Sequence, residues 1–303
     1  MKKYLLMIAA AAAIMATTGC KGNAEGNPEG ADSTATEQTA EQATEATNPW
    51  PWDFPQNAKI EAEEGQWVLA PYTFYPGTIK DGKKLEDAIL IFYSTEMKSV
   101  GAEKSELRGA DMPIPNSLII PMDPKATAKK GDIVLTWWQS GSGMKRALVT
   151  DASNPAEPKV HYIDLTYKDD PENPGPAQKC DNEQLKPGSF VVMHDGQWES
   201  GAQVACKDGD DWLLGKLIRE QDGKVLVLGF SDMVKVYNKE DVKIVPFKEN
   251  IKVGDNVWCK FAATYENDDY KVTKVDEKIG RVWVEHKGKT EVYNFYEVTK
   301  VLD

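Results

Sequence analysis

The chain has 303 residues, 48 of them acidic against 36 basic, for a formal charge of -12, and 41% of its residues are hydrophobic. Nucleic-acid binders usually carry a basic patch that releases counterions from phosphate, so a chain this acidic gives no reason to expect a nucleic-acid partner. Cationic or neutral partners are electrostatically easier.

Residues 1–19 read as a signal peptide: Lys2 and Lys3, an apolar run too short to span a bilayer comfortably, then small residues before Cys20. The stretch Thr17, Thr18, Gly19, Cys20 resembles the lipobox of bacterial lipoproteins. That resemblance implies cleavage before Cys20, acylation of Cys20 and a cell-envelope address, periplasmic or cell-surface. The membrane would be met through the N-terminal lipid only; a conventionally secreted protein is the alternative. Loss of Lys2 and Lys3 takes the formal charge from -12 to -14. Residues 20–57 then hold the lipidated cysteine, a tether and a hinge. Residues 21–48, rich in Ala, Glu, Thr and Gly, bury almost nothing and read as a disordered tether spanning roughly 30 Å. The hinge NPWPWDFP (48–55) sets two tryptophans among three prolines, costly to leave in water, and is expected to dock onto the first folded unit.

From about residue 58 short runs of Val, Ile, Trp and Tyr alternate with Gly and Asp, which signals short strands and tight turns. A phrase recurs four times: Gly65-x-x-Val68, Gly131-x-x-Val134, Gly201-x-x-Val204 and Gly254-x-x-Val257. Self-similarity at this period means a repeated structural unit, with units at 58–124, 125–196 (carrying the Pro-rich insertion 169–178), 197–248 and 249–303. Units three and four align at length. DGDDW (208–212) matches ENDDY (266–270), and LLGKLIREQDGKVLVL (213–228) matches KVTKVDEKIGRVWVEH (271–286). EMKSV (96–100) is matched to DMVKV (232–236), and KRALVT (145–150) to GKLIRE (215–220). Each unit gives about five strands. Two residues beyond the valine stand Ala70, Thr136, Cys206 and Cys259, which alternation puts on the valine's face, toward a crowded interior. A disulfide between Cys206 and Cys259 is the lesser alternative, since equivalent interior sites of separate units rarely approach to bonding distance. Cys180 is the odd thiol. The short connector PFKEN (246–250) favours contact between units three and four.

A five-stranded unit of about 55 residues that opens on Gly-Asp-x-Val and turns back through an aromatic resembles the SH3-like barrels of the Tudor and Agenet families. The resemblance implies an all-β chain of four tandem SH3-like barrels. In Tudor-like domains an aromatic cage takes a methylated side chain by cation-π attraction. Carried over by position, the candidates are Tyr72, Tyr75 and Tyr93 in unit one, Trp137 or Trp138 with Met144 in unit two, Trp212 and Phe230 in unit three, and Phe261 and Tyr270 in unit four. The competing expectation is that these rings pack within or between barrels, as Trp283 and Tyr293 are expected to do.

Catalytic signatures are absent. His161, His194 and His286 fall in separate repeats, and no zincin, serine-hydrolase, phosphate-loop or zinc-cysteine motif occurs. The acidic stretches KDGDD (207–211), ENDD (266–269) and YKDDPEN (167–173) lack a full calcium-loop spacing. The sequence therefore implies a noncatalytic, tethered binding or scaffold lipoprotein with no cofactor and no metal. Its partner would be an envelope protein, a peptide or a cell-wall ligand. Two alternatives stay open: a carbohydrate-binding accessory protein stacking sugars on exposed Trp50, Trp52, Trp137, Trp138 and Trp198, and an enzyme with an unrecognised carboxylate pair.

Overall fold

The computed structural model describes residues 50–72, 88–141, 143–165 and 183–302. Cys20, Tyr75, Cys180, the signal and tether segments and YKDDPEN lie outside them. The described chain is all-β and antiparallel. Unit one holds β1 (Trp67–Pro71), β2 (Ala88–Ile89), β3 (Phe92–Ser99), β4 (Lys104–Leu107), β5 (Ile114–Pro115) and β6 (Ile120–Pro121). Unit two holds β7 (Ile133–Trp137), β8 (Met144–Asp151), β9 (Lys159–Tyr162), β10 (Glu183–Gln184) and β11 (Val191–Val192). Unit three runs through β12 (Gln203–Asp208), β13 (Asp211–Gln221), β14 (Lys224–Leu228), β15 (Met233–Asn238) and β16 (Val242–Ile244). Unit four comprises β17 (Asn256–Phe261), β18 (Thr264–Asp276), β19 (Arg281–His286), β20 (Lys289–Asn294) and β21 (Val298–Thr299).

Leaving β2 aside, one strand order serves all four units: the first four strands form a meander, and the fifth returns to pair with the first. It reads β5-β4-β3-β1-β6 and β10-β9-β8-β7-β11 in two separate five-stranded sheets. In the third sheet it recurs as β15-β14-β13-β12-β16 and β20-β19-β18-β17-β21.

The repeated phrase explains why. Gly65, Gly131, Gly201 and Gly254 have φ of 81°, 89°, 90° and 95°, a region closed to most L-residues. Each is the third residue of a four-residue turn closed by an i to i+3 bond, for example Asp255 N to Lys252 O at 3.0 Å. Gly at that place with positive φ is the type II requirement. Each glycine N–H then donates to the second strand of its unit, at Met97, Val149, Leu217 and Val272, over 2.7–2.8 Å. The same residue's N–H returns to the carbonyl after the glycine. One step beyond that contact the second strand slips register in every unit, at Met97/Ser99, Val149/Asp151, Leu217/Arg219 and Val272/Lys274. A bulge bends its strand and raises the local twist. The bonded turn and the bulge thus fix where each second strand bends.

The small residues lie inside, as alternation requires: Val68, Ala70, Val134, Thr136, Val204 and Cys259 are 0% exposed and Cys206 is 1%. Cys206 and Cys259 are both free, so the disulfide alternative is wrong.

These contacts also correct three of the sequence matches. Val149 and Leu217 are structural equivalents, which displaces the KRALVT to GKLIRE match by two residues. EMKSV lies in a second strand and DMVKV at the start of a fourth, so their likeness has no structural meaning. Between units three and four the equivalence of Leu217 with Val272 matches Tyr270 to Gly215, not to Trp212. The cause is local. DGDD is a hairpin turn, Asp208 facing Asp211, whereas ENDD sits inside β18, where the pairing steps from Cys259/Glu266 to Val257/Tyr270. The extra residues of that irregularity shift everything after it.

Units three and four share the third sheet because β13 pairs with β18 through Trp212/Tyr265 and Leu213/Thr264. β2 adds to β15 of unit three, and Arg219 donates to Ile119 O of unit one at 2.7 Å. The hinge docks, but across two units: Trp52 and Phe54 are buried, Trp52 Nε1 donates to Val234 O in unit three at 3.0 Å, and Ser117 in unit one donates to Pro55 O at 2.6 Å.

Gly254→Ala is expected to lower unfolding stability by about 1–2 kcal/mol from the left-handed backbone alone, since no atom lies within 4 Å of the added Cβ. Gly229→Ala, at φ -90°, should change it by no more than about 0.5 kcal/mol. Denaturant midpoints check both; an unchanged Gly254→Ala midpoint contradicts the turn assignment.

Candidate functional site

Most aromatic candidates serve the core. Trp137 is 4% exposed, pairs across strands with buried Met144 and meets Trp67 at 5.1 Å. Trp138 is half-buried over Gly141, where a Cβ would sit 2.4 Å from its ring. Tyr72 stacks flat on Tyr93 at 4.5 Å and donates to Ser94 O at 3.0 Å. Tyr270 is 2% exposed, between His286 at 4.1 Å and Tyr293 at 6.4 Å. It pairs with Val257, four residues from Phe261 and so about 13 Å away along the strand; the two cannot form one cage. Trp212 is half-buried under the Lys243 ammonium at 5.1 Å. None of the nine tryptophans is exposed: of those expected as open rings, Trp52 and Trp137 are buried and Trp50, Trp138 and Trp198 half-buried.

Two rings behave otherwise. Phe230 is 54% exposed and Phe261 60%, the only exposed aromatics among the described residues. Local backbone holds both out. Phe230 heads the β14–β15 connection, where Ser231 and Asp232 take φ of 56° and 58° and Gly229 N donates to Met233 O at 2.7 Å. Phe261 ends β17 at a two-residue hairpin loop whose Ala262 has φ 54°. Leu214 N donates to Ala263 O at 2.9 Å, which sets that loop against β13.

Two hollows meet there. The apolar one, about 110 Å³, is lined by Leu213, Val227, Met233 and Tyr237 among others. The second, about 150 Å³, is walled by Arg146, Lys216, Lys260, Gln203 and Tyr296. Leu214, Gly229, Phe230 and Ala263 line both. Phe261 stands between Lys260 and Ala262, both of the second hollow. The result is one groove along the seam of units three and four, apolar at one end and cationic at the other.

Beneath the cationic end is a buried polar junction of three units. Arg146 on β8 is 0% exposed and Asp164, just after β9, is 2%. The guanidinium donates to both Asp164 oxygens, from Nε at 2.9 Å and Nη2 at 2.7 Å, and from Nη1 to Gln203 Oε1 at 2.9 Å and Gly201 O at 3.2 Å. It lies over the rings of Tyr296 at 4.5 Å and Phe247 at 5.0 Å. Gln203 donates to Tyr265 OH at 3.2 Å, and Tyr265 donates to Tyr296 O. Lys216 reaches Asp164 at 3.2 Å, and Lys260 donates to Glu297 at 2.6 Å. Burial would raise the Asp164 carboxyl, but Arg146 and Lys216 outweigh it and hold it well below the usual carboxylate range. At Lys216 burial prevails instead; Asp164 only partly offsets it, and the ammonium is pushed down to about 8.

None of these junction residues was a candidate in the sequence. Arg146 and Lys216 fall in stretches matched only as strand, and no local motif marks a charge that strand pairing will bury. Among the described residues no group of three or more His, Cys, Asp or Glu side chains is placed to hold a metal ion.

Lys216 loses its proton at lower pH when folded than when unfolded, so it adds stability as pH rises from about 8 toward 10. The buried Cys206 and Cys259 thiols, raised by burial, tilt stability the other way. The Lys216 contribution is therefore the difference between the wild type and Lys216→Met. That difference is expected to grow by about 1–2 kcal/mol from pH 8 to 10, read from urea midpoints; parallel curves contradict it.

No protein-family model matches this chain, and no curated protein matches it.

Proposed function

We propose that this chain is a noncatalytic binding protein of the bacterial cell envelope, tethered by a lipid on Cys20 and built of four SH3-like barrels. It takes an envelope protein or peptide in the groove between units three and four. The strand order, four strands in a meander with the fifth against the first, supports the barrel, as does the bulge that bends each second strand where closure requires it. Short 3-10 turns before the last strand of units one, three and four, such as Asn116–Leu118, add to this.

The observation that carries the binding role is the exposure of Phe230 on the wall of the groove, with Phe261 exposed between the groove residues Lys260 and Ala262 in sequence, in a chain that otherwise buries or half-buries its described aromatics. Apolar rings left in water beside a concave, partly apolar surface are a recurrent mark of an interaction site. The other aromatic candidates contribute by packing, and the acidic turns solvate the remainder of the surface.

A photo-crosslinking phenylalanine at position 230 or 261 should trap a discrete adduct in intact cells, whereas the same group at Lys104 on β4 should trap none. Phe230→Ala with Phe261→Ala should leave stability within about 0.5 kcal/mol, while Tyr270→Ala, a core truncation, should cost about 3–5 kcal/mol. Absence of an adduct at both positions contradicts the assignment.

A further inference from the structure

The groove's two ends ask for two different chemical groups. At the cationic end Arg146, Lys216 and Lys260 face the two carboxylates of Asp164 and Glu297, leaving one positive charge in excess within a chain whose formal charge is -12. Neither carboxylate lines the hollow, whereas all three cations do. Arg146 spends its donors on Asp164, Gln203 and Gly201, so it contributes charge more than contacts. The lysines differ. Each ammonium has three N–H groups. Lys260 Nζ donates to Glu297, and Lys216 Nζ meets Asp164 and, at 3.5 Å, Met144 O. Their side chains are 34% and 22% exposed, open enough to meet an anion yet shielded enough to give a charge-assisted bond its strength.

The apolar end is small. About 110 Å³ is of the order of the roughly 150 Å³ cavity that accommodates benzene, room for one side chain and not for an acyl tail. Because Gly229 and Phe230 line both hollows, an occupant would span one residue's width between carboxylate and apolar group. The exposed face of Phe230 would then flank the residues preceding it.

Resting on the binding role proposed above, the geometry points to a peptide C-terminus as the occupant: a free carboxylate between Lys216 and Lys260, with the apolar side chain of the last residue in the cavity behind Phe230. Gly229 is the selectivity position. Gly229 lines both hollows and a Cβ there meets nothing closer than Met233 O at 3.5 Å, so a side chain can begin at this position without a clash at its Cβ.

Calorimetry on the full chain tests this with acetyl-Ala-Ala-Ala-Leu as the free acid, its C-terminal amide, acetyl-Ala-Ala-Ala-Asp, free leucine and decanoate. The leucine acid should bind at least about tenfold more tightly than the amide, the loss expected for one charge-assisted bond. It should also bind more tightly than the aspartate peptide, free leucine and decanoate. Lys260→Gln should remove the preference for acid over amide. Gly229→Leu should abolish binding with an unchanged melting temperature, which guards against a Lys260→Gln variant that fails to fold. Equal affinity for acid and amide, tighter binding of decanoate, full binding by Gly229→Leu, or no heat with any probe would overturn the proposal. If no probe binds but crosslinking at 230 persists, only the C-terminus assignment falls; if both fail, the binding role falls with it.

Discussion

A guanidinium with no exposed surface organises this molecule. Arg146 belongs to unit two, yet its partners come from three units: Asp164 from its own, Gly201 and Gln203 from unit three, and the Tyr296 ring from unit four. An ion in low dielectric is tolerated only when paired and bonded on all sides, so units two, three and four must meet in one arrangement or leave a buried charge unanswered. Removing one partner of such a pair costs roughly 3–5 kcal/mol. The hydrophobic faces alone would accept several packings of similar small units; the fork of Arg146 accepts one. That selection also makes the groove, because the side chains that answer Arg146 carry Lys216 and Lys260 to its edge.

The repeat was legible because its cause is local. A glycine at positive φ, a valine three residues later and a small residue two beyond that are demands of one turn and one strand interior, and they survive in sequence whatever follows. Registers were less legible. Side-chain alternation has period two, so a match displaced by two residues keeps every apolar residue on an apolar column. The match of KRALVT to GKLIRE is displaced in this way, while the irregularity at Asn267–Asp269 in β18 made Tyr270 look like the counterpart of Trp212 when it occupies the column of Gly215, three residues on. At Gly215 a Cβ would meet Val227 at 2.2 Å, so unit three leaves that column empty while unit four fills it with a ring.

The site was legible only in part, and for a related reason. Phe230 and Phe261 were visible as aromatics near turns, but nothing in a single repeat distinguishes them from Tyr72 or Trp137. Their exposure depends on left-handed residues at Ser231, Asp232 and Ala262 and on the pairing of β13 with β18, which is a relation between units. The cationic hollow is more hidden still. Its three basic residues come from three different units, and the acidic composition argued for cationic or neutral partners, whereas the groove concentrates a local excess of positive charge. Net charge describes the surface as a whole; a seam between units can invert it.

Hydrogen exchange followed peptide by peptide across increasing urea tests most directly whether Arg146 joins units two, three and four into one cooperative body. Amides of β8, β13 and β18 should lose protection together at one urea concentration, since opening any of the three strands the same buried charge. Exchange in β18 at markedly lower urea, with β8 and β13 still protected, would mean that unit four is a separately folding appendage and that the groove has no fixed geometry.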